Sequence, residues 1–98
     1  MIEEFRTALK SRGLEVVCED SGDCYFCYTK DEPITLVTLE KGKVLFSKVI
    51  LFGDVLPQAT CEVVYVNPKG LFAFSDNIEE LAQKVVEKVK RVRRTPSD

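Results

Sequence analysis

The segment at residues 44–52 (VLFSKVILF) constrains the fold more than any other part of the sequence. A β-strand that is covered on one side only alternates apolar with polar residues. This segment is apolar on both sides, so both faces of its sheet need a cover. One of the two sides carries four large apolar residues, Val44, Phe46, Ile50 and Phe52.

Short links rich in turn-forming residues divide the middle of the chain into strands. The links read DSGD, KDEP, KG and NPKG, and such short connections favour antiparallel hairpins. The longest connection, GDVLPQAT at residues 53–60, has room for one helical turn. The pattern predicts six mostly antiparallel strands, at residues 14–19, 24–29, 34–40, 44–52, 61–66 and 71–74.

Amphipathic helices are predicted at both ends of the chain. At the N-terminal end apolar residues recur at helical spacing from Ile2 to Leu9, and Gly13 is suited to end this helix. At the C-terminal end the apolar spacing continues from Ile78 to Val92. Ser75 or Asp76 can cap its start. We therefore predict a single α+β domain over residues 1–98, with a helix, about six strands and a C-terminal amphipathic helix.

Two helices can cover only one face of such a sheet, which leaves the second apolar face for a partner. Exposed apolar patches above a few hundred Å² are rare on monomers. We therefore expect a homodimer, although a sheet that curls on itself as a monomer is an alternative. The predicted interface contains the four residues of one side of the long strand, Val44, Phe46, Ile50 and Phe52.

The four cysteines allow three interpretations. Cys24 and Cys27 lie in CYFCY, whose aromatic residues favour a strand, and residues three apart in a strand point to opposite faces. The spacing is therefore unsuited to a disulfide or a metal site shared by these two residues. We expect packed, reduced thiols and no metal. The alternatives are a Cys18–Cys24 disulfide across the first hairpin and, with Cys61, a four-cysteine metal or thiol site.

The net charge of −2 hides a separation of charge along the chain. Residues 1–83 carry eight basic and fourteen acidic residues, whereas residues 84–98 carry six basic and two acidic residues. An acidic cluster that could attract a basic protein contains Glu15, Glu19, Asp20, Asp23, Asp31 and Glu32. A basic stretch of the C-terminal helix that could contact nucleic acid contains Lys88, Lys90, Arg91, Arg93 and Arg94.

No catalytic motif stands out in the sequence. There is no histidine for a Ser–His or Cys–His pair and no glycine-rich phosphate loop, so we expect a non-enzymatic protein without a cofactor. No apolar run approaches the length of a membrane span, and no signal peptide is recognisable, so we expect a cytoplasmic protein.

The composition and the order of elements resemble two groups of known proteins. Plentiful valine, lysine and glutamate, with few asparagine, glutamine or methionine residues, resemble the composition of small acidic proteins from hyperthermophilic archaea. The helix–strands–helix order is similar to that of dimeric secretion chaperones at the level of the fold. We predict a homodimeric binding or assembly module for a basic protein. The alternatives are a nucleic-acid accessory protein and a thiol or metal site.

Overall fold

Five antiparallel strands form a single sheet in which the order of strands follows the order of the chain. The computed structural model describes residues 1–30, 33–55 and 60–94. The strands in these ranges are β1 (Val16–Asp20), β2 (Tyr25–Thr29), β3 (Ile34–Lys41), β4 (Val44–Leu51) and β5 (Leu71–Ser75). The helices are α1 (Ile2–Ser11), a 3-10 helix (Phe52–Asp54), α2 (Cys61–Tyr65) and α3 (Ile78–Arg94). The predicted α+β fold is confirmed, with five strands instead of six.

The predicted strand at residues 61–66 is wrong, because residues 61–65 form helix α2. The sequence CEVVY is rich in residues that favour strands, but Thr60 caps a helix there. The Thr60 side-chain oxygen accepts a hydrogen bond from the Val63 amide at 3.3 Å, and Val64 is buried against the sheet. Tertiary packing and a good N-cap outweigh local propensity in this segment.

Helices α1 and α3 cover one face of the sheet. Helix α1 ends as predicted: Gly13 has φ of +85°, and the Leu14 amide donates to the Leu9 carbonyl at 2.9 Å. The two helices are also joined by an ion pair of 2.8 Å between Arg12 and Glu79. Among the described residues, no helix combines the length and the apolar character that a membrane crossing requires. The fully buried side chains between helices and sheet include those of Phe5, Leu9, Ile34, Leu36, Leu81 and Val85.

The chain itself covers part of the second face. A second core cluster lies between the sheet and the segment that runs from the 3-10 helix to α2, and it includes Phe26, Val37, Ile50 and Val64. We call residues 52–55 and 60–67 the covering segment. Our premise that two helices leave this face bare is therefore wrong for the middle of the sheet.

All four cysteines form disulfides, so the prediction of reduced, packed thiols is wrong. The predicted Cys18–Cys24 pairing is also wrong. Cys18 lies directly opposite Cys27 in the β1–β2 register and is bonded to it, with a Cα–Cα distance of 4.0 Å. Cys24 precedes β2 on the other face of the sheet and is bonded to Cys61 at the start of α2. The register pairs Asp20 with Tyr25, and this four-residue connection places Cys24 out of reach of Cys18.

Candidate functional site

Four aromatic rings form a continuous cluster on the part of the second face that the covering segment leaves open. We call Phe46, Tyr65, Phe72 and Phe74 the aromatic cluster. The ring centroids of Phe46 and Phe74 are 6.1 Å apart, and those of Phe46 and Tyr65 are 6.2 Å apart. The Tyr65 and Phe72 rings meet edge to face at 5.0 Å. These distances are those of interacting aromatic pairs.

The alternation of β5 exposes two of these rings. Ala73 and Ser75 are buried on the helix-covered face, so Phe72 and Phe74 point to the open face. Phe72 is 44% exposed and Phe74 is 58% exposed. With roughly 200 Å² for a whole aromatic side chain, the two rings leave about 200 Å² of apolar surface in water.

A buried lysine lies beneath the aromatic cluster. Lys48 on β4 is fully buried, and its Nζ atom is 4.7 Å from the centroid of the Phe72 ring. The ammonium group donates hydrogen bonds to the carbonyl oxygen of Tyr65, at 3.2 Å, and to that of Asn67. Burial lowers the pKa of Lys48 and raises the pKa of Tyr65. Lys48 thus ties the C-terminal end of α2, which carries Tyr65, to the sheet.

Gly70 permits the close approach that this arrangement requires. Its φ is +90°, and a Cβ atom at this position would lie 2.6 Å from the Val49 carbonyl oxygen and 3.2 Å from the Lys48 Cε atom. A residue with a side chain would therefore be strained and would push β5 away from β4. The glycine immediately before β5 allows Phe72 to lie over Lys48.

Lys84 of α3 borders the aromatic cluster at the free edge of β5. Its ammonium group donates to the Phe74 carbonyl oxygen at 3.1 Å and lies 5.8 Å from the Phe74 ring centroid. It also forms an ion pair of 2.9 Å with Glu80, which lowers the pKa of Glu80. A lysine that occupies an edge carbonyl discourages another strand from pairing there. The open face of the cluster, and not the β5 edge, is therefore the accessible surface.

The residues predicted for a dimer interface do not form one surface. Phe46 belongs to the aromatic cluster, but Ile50 is fully buried beneath the covering segment. Phe52, the first residue of the covering segment, is 55% exposed and packs against Tyr28. Val44 is half-buried at the start of β4. Of the four, Phe46 is the one that belongs to the aromatic cluster.

The predicted acidic cluster divides into two parts. Glu15 forms an ion pair of 2.8 Å with Lys30, and the hydrogen bond from this lysine lowers the Glu15 pKa. Glu19, Asp20 and Asp23 are exposed at the opposite end of the β1–β2 hairpin, which we call the acidic tip. About five residues of extended chain, roughly 17 Å, separate the two parts. The remaining members, Asp31 and Glu32, lie outside the described residues.

The predicted basic stretch lies on α3. Lys90 and Arg91 are exposed and Lys88 is half-buried. Residues 84, 88 and 91 share one side of the helix, because side chains four and seven positions apart are neighbours on its surface. Lys88 and Arg91 therefore continue the flank of α3 on which Lys84 reaches β5. The other two members, Arg93 and Arg94, belong to α3, but their side chains lie outside the described part of the chain.

Sequence reasoning missed most of the aromatic cluster. The signal for Phe72 and Phe74 was present, because LFAFS alternates large and small residues with the period of a strand. Tyr65 was assigned to a strand, so its contact with Phe72 could not be foreseen. Within residues 1–30, 33–55 and 60–94, no three Cys, Asp or Glu residues are grouped so that they could hold a metal ion.

Comparison with protein-family models, with curated proteins and with solved structures found no match. The geometry of the aromatic cluster is therefore the basis for inferring what it binds. Half-exposed rings bordered by a lysine are suited to the burial of apolar area against another macromolecule.

Proposed function

We propose that this protein is a non-enzymatic binding module that works as a homodimer, and that the aromatic clusters of two copies meet in the dimer interface. The observation that supports this proposal is the exposure of Phe72 and Phe74 within a continuous set of rings. Aromatic residues at the centre of a patch supply most of the binding energy in protein interfaces. A two-fold dimer brings the same patch of each copy together.

A second copy is a suitable occupant because the cluster is apolar and carries little charge of its own. Burial of about 200 Å² of ring surface on each copy would gain about 5 kcal/mol per copy, before the cost of association. A standard interface covers about 800 Å² per partner, so the cluster would form its centre. Two exposed valines of the covering segment, Val63 at 46% and Val66 at 70%, offer further apolar surface.

The test is the solution mass of Phe74→Asp, measured by light scattering over a range of micromolar concentrations. We expect the wild-type protein to have twice the chain mass of 11.1 kDa and the variant to have the mass of one chain. Val17→Asp is the matched control. Val17 is 48% exposed on the same face but on β1, at the far edge of the sheet, and the substitution adds the same charge. A wild-type mass of 11 kDa would reject the homodimer, whereas a dimeric Phe74→Asp would reject the aromatic cluster as its interface.

For the bound partner, we propose a basic protein that docks at the acidic tip. Glu19, Asp20 and Asp23 are exposed, and no Lys or Arg among the described residues forms an ion pair with them. Their potential is therefore available to steer a positively charged surface. If the clusters pair around a two-fold axis, the dimer carries two such tips.

A lysine-rich fluorescent peptide tests the acidic tip directly. We expect its affinity, measured by anisotropy, to fall at least tenfold in the triple variant Glu19→Gln, Asp20→Asn and Asp23→Asn. The matched control neutralises three exposed carboxylates elsewhere, at Glu40, Glu62 and Glu87. Equal losses in the two triple variants would mean that only the net charge matters and would reject a site at the tip.

Contact with single-stranded nucleic acid is a second candidate function. The observation that favours it is the position of Lys84, which lies beside the exposed Phe74 ring on the same helix flank as Lys88 and Arg91. Basic residues beside exposed rings are the combination that binds single strands by stacking and phosphate contact. Binding of an oligothymidylate that is weakened by Phe72→Ala and by Lys88→Gln, but not by Lys43→Gln, would support this function. Binding that responds equally to all three substitutions would contradict it.

A further inference from the structure

The disulfide between Cys24 and Cys61 joins the start of helix α2, in the covering segment, to the sheet. Helix α2 has five residues, and a helix of this length has no stability of its own. Its first residue, Cys61, is held by the disulfide, and its last, Tyr65, is held by Lys48. Loss of the disulfide therefore removes the attachment at one end of the helix.

Beneath the covering segment lies an apolar surface that continues into the aromatic cluster. Phe26, Val37 and Ile50 form this hidden surface together with the half-buried Leu39. In the β3–β4 register Leu39 lies directly opposite Phe46, a member of the aromatic cluster. If α2 moved away, Tyr65 would leave with it, and the hidden surface would join the three rings that remain on the sheet, Phe46, Phe72 and Phe74.

We propose that the Cys24–Cys61 disulfide is a redox-controlled clasp, and that its reduction uncovers the hidden surface and strengthens the contact with a second copy. The proposal rests on the homodimer proposed above. A second copy is the occupant because the hidden surface is continuous with the surface that we assign to the dimer. The clasp thus regulates how much apolar area the dimer buries.

A dithiol reductant can open the clasp in two exchange steps. One thiolate of the reductant attacks the sulfur of Cys61, the more exposed of the two cysteines, and Cys24 leaves as a thiolate that takes up a proton. The second thiolate of the reductant then attacks the reductant's other sulfur atom, which is bonded to Cys61 in the mixed disulfide. Cys61 leaves as a thiolate and is protonated in turn. Two electrons pass from the dithiol, which becomes a cyclic disulfide, to the protein, which gains two thiols.

The Cys18–Cys27 disulfide provides the control, because its loss opens nothing comparable. It joins strands β1 and β2, which are already paired over five residues, and it spans nine positions against 37 for Cys24–Cys61. The test compares Cys24→Ala/Cys61→Ala with Cys18→Ala/Cys27→Ala. The wild-type protein treated with a dithiol is measured as well, so that the proposal remains testable if a variant fails to fold.

Nuclear spin relaxation and sedimentation equilibrium provide two independent measurements. In Cys24→Ala/Cys61→Ala we expect the backbone order parameters of residues 62–66 to fall from about 0.85 to below about 0.6, whereas β3 and β4 stay rigid. We expect the dimer dissociation constant to fall at least tenfold in this variant and to change less than threefold in the control. An α2 helix that stays rigid, or an opened helix with an unchanged dissociation constant, would overturn the clasp. A monomeric wild-type protein would instead reject the homodimer, and the order parameters would still report whether the clasp opens.

Discussion

Lys48→Met tests whether the buried ammonium group holds α2 against the sheet. Methionine preserves the length and the apolar stem of the side chain but cannot donate to the carbonyl oxygens of Tyr65 and Asn67. It also removes the cation that lies over the Phe72 ring. The substitution therefore removes the polar attachment and leaves the packing volume nearly unchanged.

The expected loss of stability follows from these contacts. Each buried carbonyl left without a donor costs about 1–3 kcal/mol, and the cation–π contact contributes about 1–2 kcal/mol. The variant no longer has to desolvate an ammonium group, which offsets part of this loss. We expect the free energy of unfolding to fall by about 2–3 kcal/mol, equivalent to a decrease in Tm of roughly 10–20 °C for a domain of this size.

The pH dependence gives the same substitution a second signature. Because burial lowers the pKa of Lys48, the unfolded chain binds this proton more tightly than the folded chain. The stability of the wild-type protein relative to Lys48→Met should therefore rise with pH, in the interval between the lowered pKa and the ordinary value of 10.5. Burial also raises the pKa values of Tyr28 and Tyr65, so both proteins lose stability above the ordinary tyrosine value of 10.0. The difference between the two proteins isolates Lys48.

Urea unfolding at several pH values between 7 and 11 measures both effects, with Lys43→Met as the control at an exposed position. A variant as stable as the wild-type protein at pH 7 would refute the role of Lys48 as an attachment of α2. A stability difference that does not change with pH would refute the lowered pKa.

Three further substitutions test local features of the fold, each by urea unfolding at pH 7. Gly70→Ala should destabilise the protein by about 2 kcal/mol or more, because the added Cβ atom meets the Val49 carbonyl oxygen and φ is positive; a neutral result would contradict the close approach of β5. Thr35→Val should stabilise by up to about 1 kcal/mol, because the buried Thr35 hydroxyl has no partner among the described residues; a loss would indicate that the hydroxyl is satisfied. Asn77→Ala should lower the free energy of unfolding by about 1 kcal/mol, because the Asn77 side chain accepts from the Glu80 amide at 3.1 Å as the N-cap of α3. Asn77→Ser, which keeps a capping oxygen, should retain most of the wild-type stability, and an equal loss in both variants would contradict the cap.

The sequence contained enough information to predict the main elements of the fold. Helical periodicity located both terminal helices, and short turns located the hairpins. The predicted cap of α3 was wrong by one or two positions: Asn77 caps the helix, and Ser75 accepts a hydrogen bond from the Asn77 amide. The apolar character of both sides of residues 44–52 correctly indicated that both faces of β4 need a cover.

The candidate site could not be predicted, because it depends on contacts between distant residues. Residues 61–66 favour a strand locally, but packing on the sheet and the Thr60 cap make residues 61–65 a helix. In the sequence Lys48 is one polar residue in an apolar strand. Its role as an attachment of α2 depends on the carbonyl oxygens of Tyr65 and Asn67, which are 17 and 19 positions away. The disulfides depended on the hairpin register, which places Cys18 opposite Cys27 and not opposite Cys24.

The position of α3 in the chain has a consequence for synthesis. All five strands precede this helix, and together with α1 it covers the apolar side chains of β4 and β5, among them Leu45, Val49 and Ala73. The residues of all five strands are therefore synthesised before those of α3, the helix that shields this surface from other nascent chains. Until then the apolar side chains of β4 and β5 lack this cover. The risk of aggregation therefore depends on how quickly the seventeen residues of α3 emerge and dock.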